Sequence, residues 1–343
     1  MTHVASQVAS PNVPAVTPAS PVFVGIDVAK DKLDLARSDN RQLLTVSNDE
    51  KGIGQIIKLL RDVAPACIVV EATGGFERLL VNLLIDAQLS VAVVNPSRVR
   101  HLAIGLNILA KSDPIDAFVL SQFARLAEPR LTQKRSANQA ELDALITCRR
   151  QLVSARTDQG NCRLATPSKV ARQSIDKVLK ALDLQIELLD RKIRELINSD
   201  DDFKNLDKVL RSAPGVGPVL SSTLVAEVSE LGTTDRKQIS ALVGVAPFDH
   251  DSGNFRGKRS IRGGRTQVRN VLYMATVAAI RCNPVLKDFA DRLAKKGKPA
   301  KVIIVACMRK LLALLNAMVR DNLTWDQLNV VKMFNASGGP RHA

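Results

Sequence analysis

Aromatic side chains are scarce in this chain, with nine Phe, one Tyr and one Trp among 343 residues. That scarcity argues against a row of base-stacking platforms as the main means of holding a nucleic acid. It leaves backbone charge and duplex shape as the features to be read. Cysteine is sparse too: Cys67, Cys148, Cys162, Cys282 and Cys307 are scattered and form no Cys-x-x-Cys. Neither a disulfide framework nor a zinc site is indicated, and a reducing cytoplasm fits. The start lacks the basic then apolar pattern of a signal peptide. Residues 1–20 are rich in Pro, Ala, Ser and Val and read as a disordered leader. The most apolar late stretch, 302–319, is interrupted by Arg309 and Lys310, which points to a buried helix rather than a membrane span.

Acid is the minority charge. The chain has 49 Lys and Arg against 34 Asp and Glu, a net charge of +15. Clustered excess of that sign favours a polyanionic partner, because Lys and Arg neutralise phosphates and release counterions. A length of 343 residues with 45% hydrophobic content suggests two domains, or one with a long insertion, and cores of useful size.

Apolar periodicity predicts strands over 22–28, 32–37 and 42–47, then a helix starting at Asn48-Asp49-Glu50 and running to about Asp62. A strand over 66–71, a Thr73-Gly74-Gly75 turn, a helix over 76–87 and a strand over 90–94 follow. Asn95-Pro96 then caps a helix, and a last helix spans Asp113 to about Ala127. Three consecutive strands followed by alternating α and β describe a ribonuclease-H-like layout. The first strand ends Gly25-Ile26-Asp27-Val28-Ala29-Lys30 without a G-x-G-x-x-G, so a dinucleotide fold is disfavoured. Sugar kinases and actin-like ATPases also open with a strand ending Gly-Ile-Asp. They need Gly-Thr phosphate hairpins, for which Thr73-Gly74-Gly75 is the only candidate.

Residues 137–200 read as almost wholly helical, either two long antiparallel helices or an arm pairing with another subunit. Beyond Leu206, Pro214-Gly215-Val216-Gly217-Pro218 resembles the hairpin of a helix-hairpin-helix element, in which amides near a helix start grip phosphate. An ordinary Gly-Pro turn is the plainer alternative.

Four carboxylates attract attention in the first third: Asp27 and Glu71 end apolar strands, and Asp113 and Asp116 share one helical face. Such a set can hold Mg²⁺, with Mn²⁺ as a substitute, against phosphate oxygens. Two ions roughly 3.5–4 Å apart would serve attacking and leaving oxygens. Each residue also has a plain reading: Asp113 as a helix N-cap, Asp116 as a dipole partner, Asp27 as a strand cap and Glu71 as a partner of Arg78. Taken together these weaken, since a carboxylate ending a buried strand is costly without a partner.

Near the other end, Ser252 lies in a turn before a run, 254–269, holding Arg256, Lys258, Arg259, Arg262, Arg265 and Arg269 and no acid. A serine among arginines could attack a phosphodiester, with the cations stabilising the transition state. Ser-Gly is equally a common turn. His250-Asp251-Ser252 is not a hydrolase triad, because no G-x-S-x-G elbow is present; His250 reads as a turn residue or phosphate neighbour.

Taken together, Gly25-Ile26-Asp27-Val28-Ala29-Lys30, Glu71-Ala72-Thr73-Gly74, Lys111-Ser112-Asp113-Pro114-Ile115-Asp116-Ala117, Pro214-Gly215-Val216-Gly217-Pro218, Val243-Gly244-Val245-Ala246-Pro247 and Ser252-Gly253 with the Arg run resemble the DEDD insertion-sequence transposases. This is the IS-one-ten group, which includes the Piv-type DNA invertases. The resemblance implies an α/β RuvC-like domain over 21–130 with Asp27, Glu71, Asp113 and Asp116 binding Mg²⁺. It implies a helical coiled-coil arm over 131–205, a mostly α-helical transposase domain over 206–325 with Ser252 as nucleophile, and a tail over 326–343. Arg256, Lys258, Arg259, Arg262, Arg265, Arg269, Gly215 and Gly217 are then the expected nucleic-acid contacts. Double-stranded DNA of element and target, a structured non-coding guide RNA, and assembly as a dimer or tetramer are the expected partners. A bacterial cytoplasm, close to the nucleoid, is the expected location, with no membrane. The competing reading is a RuvC-like structure-specific, Mg²⁺-dependent endonuclease without a covalent intermediate.

Overall fold

A computed structural model describes residues 21–327 apart from 41, 42, 111, 250, 254 and 258. The expected leader at 1–20, the tail from 328 onward, His250 and Lys258 therefore lie outside the described residues. The chain divides into two compact units, Met1–Lys134 and Arg135–Ala343.

The first unit runs β1 (Phe23–Val28), β2 (Lys32–Arg37), β3 (Leu43–Ser47), α1 (Glu50–Val63), β4 (Cys67–Glu71), α2 (Arg78–Asp86), β5 (Val91–Val94), α3 (Pro96–Gly105) and α4 (Asp113–Ala127). This is the element order predicted from periodicity. The sheet order is β3-β2-β1-β4-β5, with β1 antiparallel to β2 and parallel to β4. Alternate residues on a strand face opposite sides. Val24, Ile26, Val28, Ile68 and Val70 therefore join Ile53, Ile56 and Leu60 of α1 and Leu80 and Leu84 of α2 in one core. Val69, Ala92 and Val94 pack with α3 and α4 on the other side. That alternation sends Gly25, Asp27 and Glu71 to the α4 side.

Local signals start these helices where expected. The Asp49 carboxylate accepts the Gly52 N–H at 2.8 Å, and the Asn95 side-chain oxygen accepts that of Ser97 at 2.9 Å. Gly25 is the close-approach point between β1 and α4: a Cβ there would stand 2.1 Å from the Ala117 carbonyl oxygen. Without a side chain at 25, α4 lies directly on the strand and delivers its first turn to the end of β1.

The second unit comprises α5 (Ala137–Ala165), α6 (Lys169–Ser199), α7 (Asp201–Arg211), α8 (Pro218–Glu227), α9 (Arg236–Val243), four two-residue strands, β6 (Pro247–Phe248), β7 (Asp251–Ser252), β8 (Phe255–Arg256) and β9 (Ser260–Ile261), then α10 (Thr266–Cys282), α11 (Pro284–Lys295) and α12 (Ala300–Asp321). Helix α12 is long and apolar enough to cross a membrane by length and composition alone. It is instead the core helix of this unit, burying Cys307, Met308, Leu311, Leu312, Leu314, Leu315 and Met318.

Helices α5 and α6 form an antiparallel hairpin clasped by Arg149–Asp190, Arg156–Asp183 and Arg163–Asp176. Both series advance by seven residues, the spacing that keeps one helix seam facing a partner. Burial is confined to the base, at Leu142, Ile146, Ile193 and Ile197. Farther out, Leu164, Val170, Val178, Leu184 and Leu188 are exposed.

Candidate catalytic and nucleic-acid site

In the first unit, Val70 pairs with Ile26 across the parallel β1/β4 ladder, so Asp27, next to last in β1, and Glu71, last in β4, come one residue farther at the ends of neighbouring strands on the α4 side. Ser112, rather than Asp113, occupies the cap of α4, and Asp113 is the first helical residue. Asp113 and Asp116 then lie near enough to be felt by Asp27. Partial burial, followed by the like charges of Asp116, Asp113 and Asp34, pushes the Asp27 carboxyl above the ordinary aspartate range.

Asp34 is an addition that periodicity did not reveal. It lies directly across the antiparallel ladder from Asp27 and is only 3% exposed. Thr45 Oγ1 donates to it at 2.5 Å, and Lys32 Nζ lies 3.1 Å away while also binding Asp113. A lysine ammonium thus bridges two carboxylates of this acidic face. Between Leu33 and Leu35, Asp34 reads as a solvent-facing strand residue; only its register with Asp27 shows otherwise.

The donor set consists of carboxylates, which suits a hard cation such as Mg²⁺ or Mn²⁺ better than a soft one. Mutual repulsion around Asp27 is what a bound cation would relieve. The gathering is looser than a finished ligand cage: among the described residues, no three His, Cys, Asp or Glu groups stand close enough to hold one ion.

In the second unit, Ser252 sits on a small two-tiered ribbon. The outer tier pairs β6 with β9, and the inner tier pairs β7 with β8, with Ser252 opposite Phe255. Gly253, which follows Ser252, adopts φ +53°, the left-handed region that glycine favours. Ser252 is exposed. Beside it, Asp251 accepts the Gly257 N–H at 3.1 Å and the Arg256 Nη1–H at 3.2 Å. Arg259 bridges Asp249 and Asp251, which holds the Asp249 carboxyl below its usual range through that hydrogen bond and charge. Arg262 lies over the Phe248 ring, 5.6 Å from its centre.

The basic run is thus two kinds of residue. Arg256, Arg259 and Arg262 lie on the exposed ribbon. Arg265 makes a bidentate pair with buried Glu230, at 2.7 and 2.8 Å. Arg269 donates to the Gly244 and Gly263 carbonyl oxygens at 3.2 and 2.5 Å, tying the ribbon's base to the end of α9. Gly215 and Gly217 also differ. Gly215 has φ +91° and its Cβ would lie 2.4 Å from that of Ala279, so its bareness serves packing against α10. Gly217 caps α8 with open space where a Cβ would be.

Comparison with known proteins adds two family matches, described as "Transposase" over residues 24–165 and "Transposase IS116/IS110/IS902 family" over residues 207–291. The "Pilin gene-inverting protein" of Moraxella bovis is 30% identical over 322 residues, covering 90% of this chain and 98% of that protein. The "Transposase for insertion sequence element IS1111A" of Coxiella burnetii is 24% identical over 314 residues, covering 82% of each. Among solved structures, T. thermophilus RuvC in complex with Holliday junction substrate matches 33% of this chain and 99% of its own at 16% identity, with a TM-score of 0.27.

Proposed function

The chain belongs to the transposase family of IS110, IS116 and the pilin gene-inverting proteins, and from that premise we propose that it cuts and rejoins DNA strands through Ser252. The observation that carries this reading is the exposed Ser252 on a hairpin braced by Arg256 and Arg259. The serine Oγ attacks phosphorus, a phosphoserine bond forms, and the departing DNA oxygen takes up the proton that the serine loses. A hydroxyl of the recipient strand reverses the exchange and frees the serine. The arginines offset charge on the five-coordinate phosphorus.

Asp27, Glu71, Asp113 and Asp116 would hold divalent cation, Mg²⁺ or Mn²⁺, which supplies charge to polarise the phosphate and stabilise the departing oxygen. Lys32 must release Asp113 for that. Burial and like charges on Asp27 prepare it to bind cation rather than stay charged alone.

Family likeness is the ground for a structured non-coding guide RNA and for assembly as a dimer or tetramer. The exposed apolar positions of the α5/α6 hairpin, with its seven-residue ion-pair spacing, support reading it as a coiled-coil arm between copies. The turn before α8, with Gly217 open, is read as a helix-hairpin-helix-like contact to backbone phosphate. A cytoplasmic, nucleoid-associated location follows from DNA as substrate.

Trapping on a nicked suicide DNA substrate tests the proposal. A covalent protein–DNA adduct mapped to Ser252, absent in Ser252→Ala, is expected. Free cleaved ends with no adduct would make the protein a RuvC-like endonuclease. Sequencing RNA that copurifies with the protein, then repeating recombination with and without it, tests the guide.

A further inference from the structure

In a chain with so few aromatics, the described residues leave three Phe exposed, Phe76, Phe248 and Phe255. Two of the three are on the ribbon that carries Ser252. Phe255 is 62% exposed and directly opposite Ser252 in the hairpin, so the two side chains share one side of the ribbon, with Cβ atoms about 5 Å apart. Phe248 has the Arg262 guanidinium over its ring. A flat apolar ring beside a nucleophile, on a ribbon that also carries Arg256, Arg259 and Arg262, fits a ligand with both an aromatic face and negative charge. A nucleotide within a DNA strand has both.

We propose that Phe255 is a base-stacking residue, holding an unstacked nucleobase next to the phosphodiester that Ser252 attacks. The proposal rests on the nucleophile reading above. In a paired duplex the bases on either side of a phosphate are stacked, and a ring placed at that step stabilises the opened base while the neighbouring arginines hold its phosphates. Stacking is tolerant of base identity, so Phe255 adds grip and distortion at the cleaved step without specifying its sequence. The scarcity of aromatics excludes a long stacking track, and a single ring at the point of attack needs none. A second copy of the chain is a poorer occupant, because Arg256, Arg259 and Arg262 outnumber Asp249 and Asp251 on the described ribbon, and another such ribbon carries the same excess of positive charge.

The test uses full-length protein and its recombination DNA, fully paired or mismatched at the cleaved step, with 5-iodouracil beside the scissile phosphate for photo-crosslinking. Phe255→Leu is expected to slow adduct formation about ten-fold on paired DNA, Phe255→Trp to retain the rate, and the mismatch to restore Phe255→Leu. Crosslinks are expected to map to the Phe255 peptide. Equal rates for Phe255→Leu and the unsubstituted chain, or an equal loss on paired and mismatched DNA, would overturn the proposal. So would a changed oligomeric state by light scattering with unchanged crosslinking. Ser252→Ala separates the two readings: it is expected to form no adduct on either DNA. An adduct there refutes the nucleophile while leaving the paired-to-mismatched ratio of Phe255→Leu to judge the ring.

Discussion

Asp27 and Ser252 are positioned by opposite means. Asp27 lies near the end of a strand whose Val24 and Ile26 are fully buried, between two other strands and beneath a helix that Gly25 admits to within contact. Ser252 lies in a two-residue strand exposed throughout and steadied by Asp251, Arg256 and Arg259. A site of gathered like charges needs a stiff frame, because the carboxylates would otherwise relax apart. On the proposed mechanism, a serine that is reached by a DNA strand, joined to it and later freed gains from a yielding, exposed support. The contrast predicts that packing changes destroy the acidic half, while the serine half fails through its own chemistry.

The largest effect that would sharpen this contrast is expected at Gly25. Gly25→Ala forces α4 away from β1, since its Cβ would meet backbone atoms of Ala117 and Ser121, and costs about 3 kcal/mol or more by denaturant unfolding, with strand cleavage lost. Gly253→Ala, with no atom within 4 Å of the added Cβ and φ +53°, costs about 1 kcal/mol, confined to the ribbon, and is read by hydrogen exchange. Equal global losses would break the comparison.

Arg265 comes next. Arg265→Ala strands the buried Glu230 carboxylate and is expected to lower stability by about 3 kcal/mol, whereas Arg262→Ala leaves stability within about 0.5 kcal/mol and reduces the salt slope of DNA binding by about 1. Thermal melts and salt-titrated binding check both.

A smaller effect concerns Asp27. Its folded carboxyl titrates above the unfolded value, so the native state holds more protons than the unfolded state in that window, and stability falls as pH rises through it. Mg²⁺ is therefore expected to raise Tm more at pH 8 than at pH 5. In Asp27→Asn the metal-free Tm rises and most of the Mg²⁺ response disappears. A response unchanged by Asp27→Asn would contradict the metal role.

Sequence pattern revealed the first unit well, because alternating apolar residues, Asp49 and Asn95 caps, and the 113–127 helix are encoded within short windows. Asp34 was hidden because a strand register depends on residues far apart, and Lys32-Leu33-Asp34-Leu35 alone looks half-exposed. The nested strands around Ser252 are two residues each, too short for any period. Arg265 and Arg269 showed charge but not partners: Glu230 lies 35 residues away, and the carbonyl oxygens of Gly244 and Gly263 carry no sequence signal. The arm's Arg–Asp spacing was present in the sequence, yet its meaning depends on the antiparallel pairing of α5 with α6.

Asp27 and Ser252 are proposed to serve one reaction. The measurement that tests it most directly is the yield of Ser252–DNA adduct from Asp27→Asn, with DNA retention and folding measured in parallel. The predicted result is retained DNA and fold with no adduct at any Mg²⁺ concentration. Adduct at the unsubstituted level would show that the carboxylates and the serine act independently.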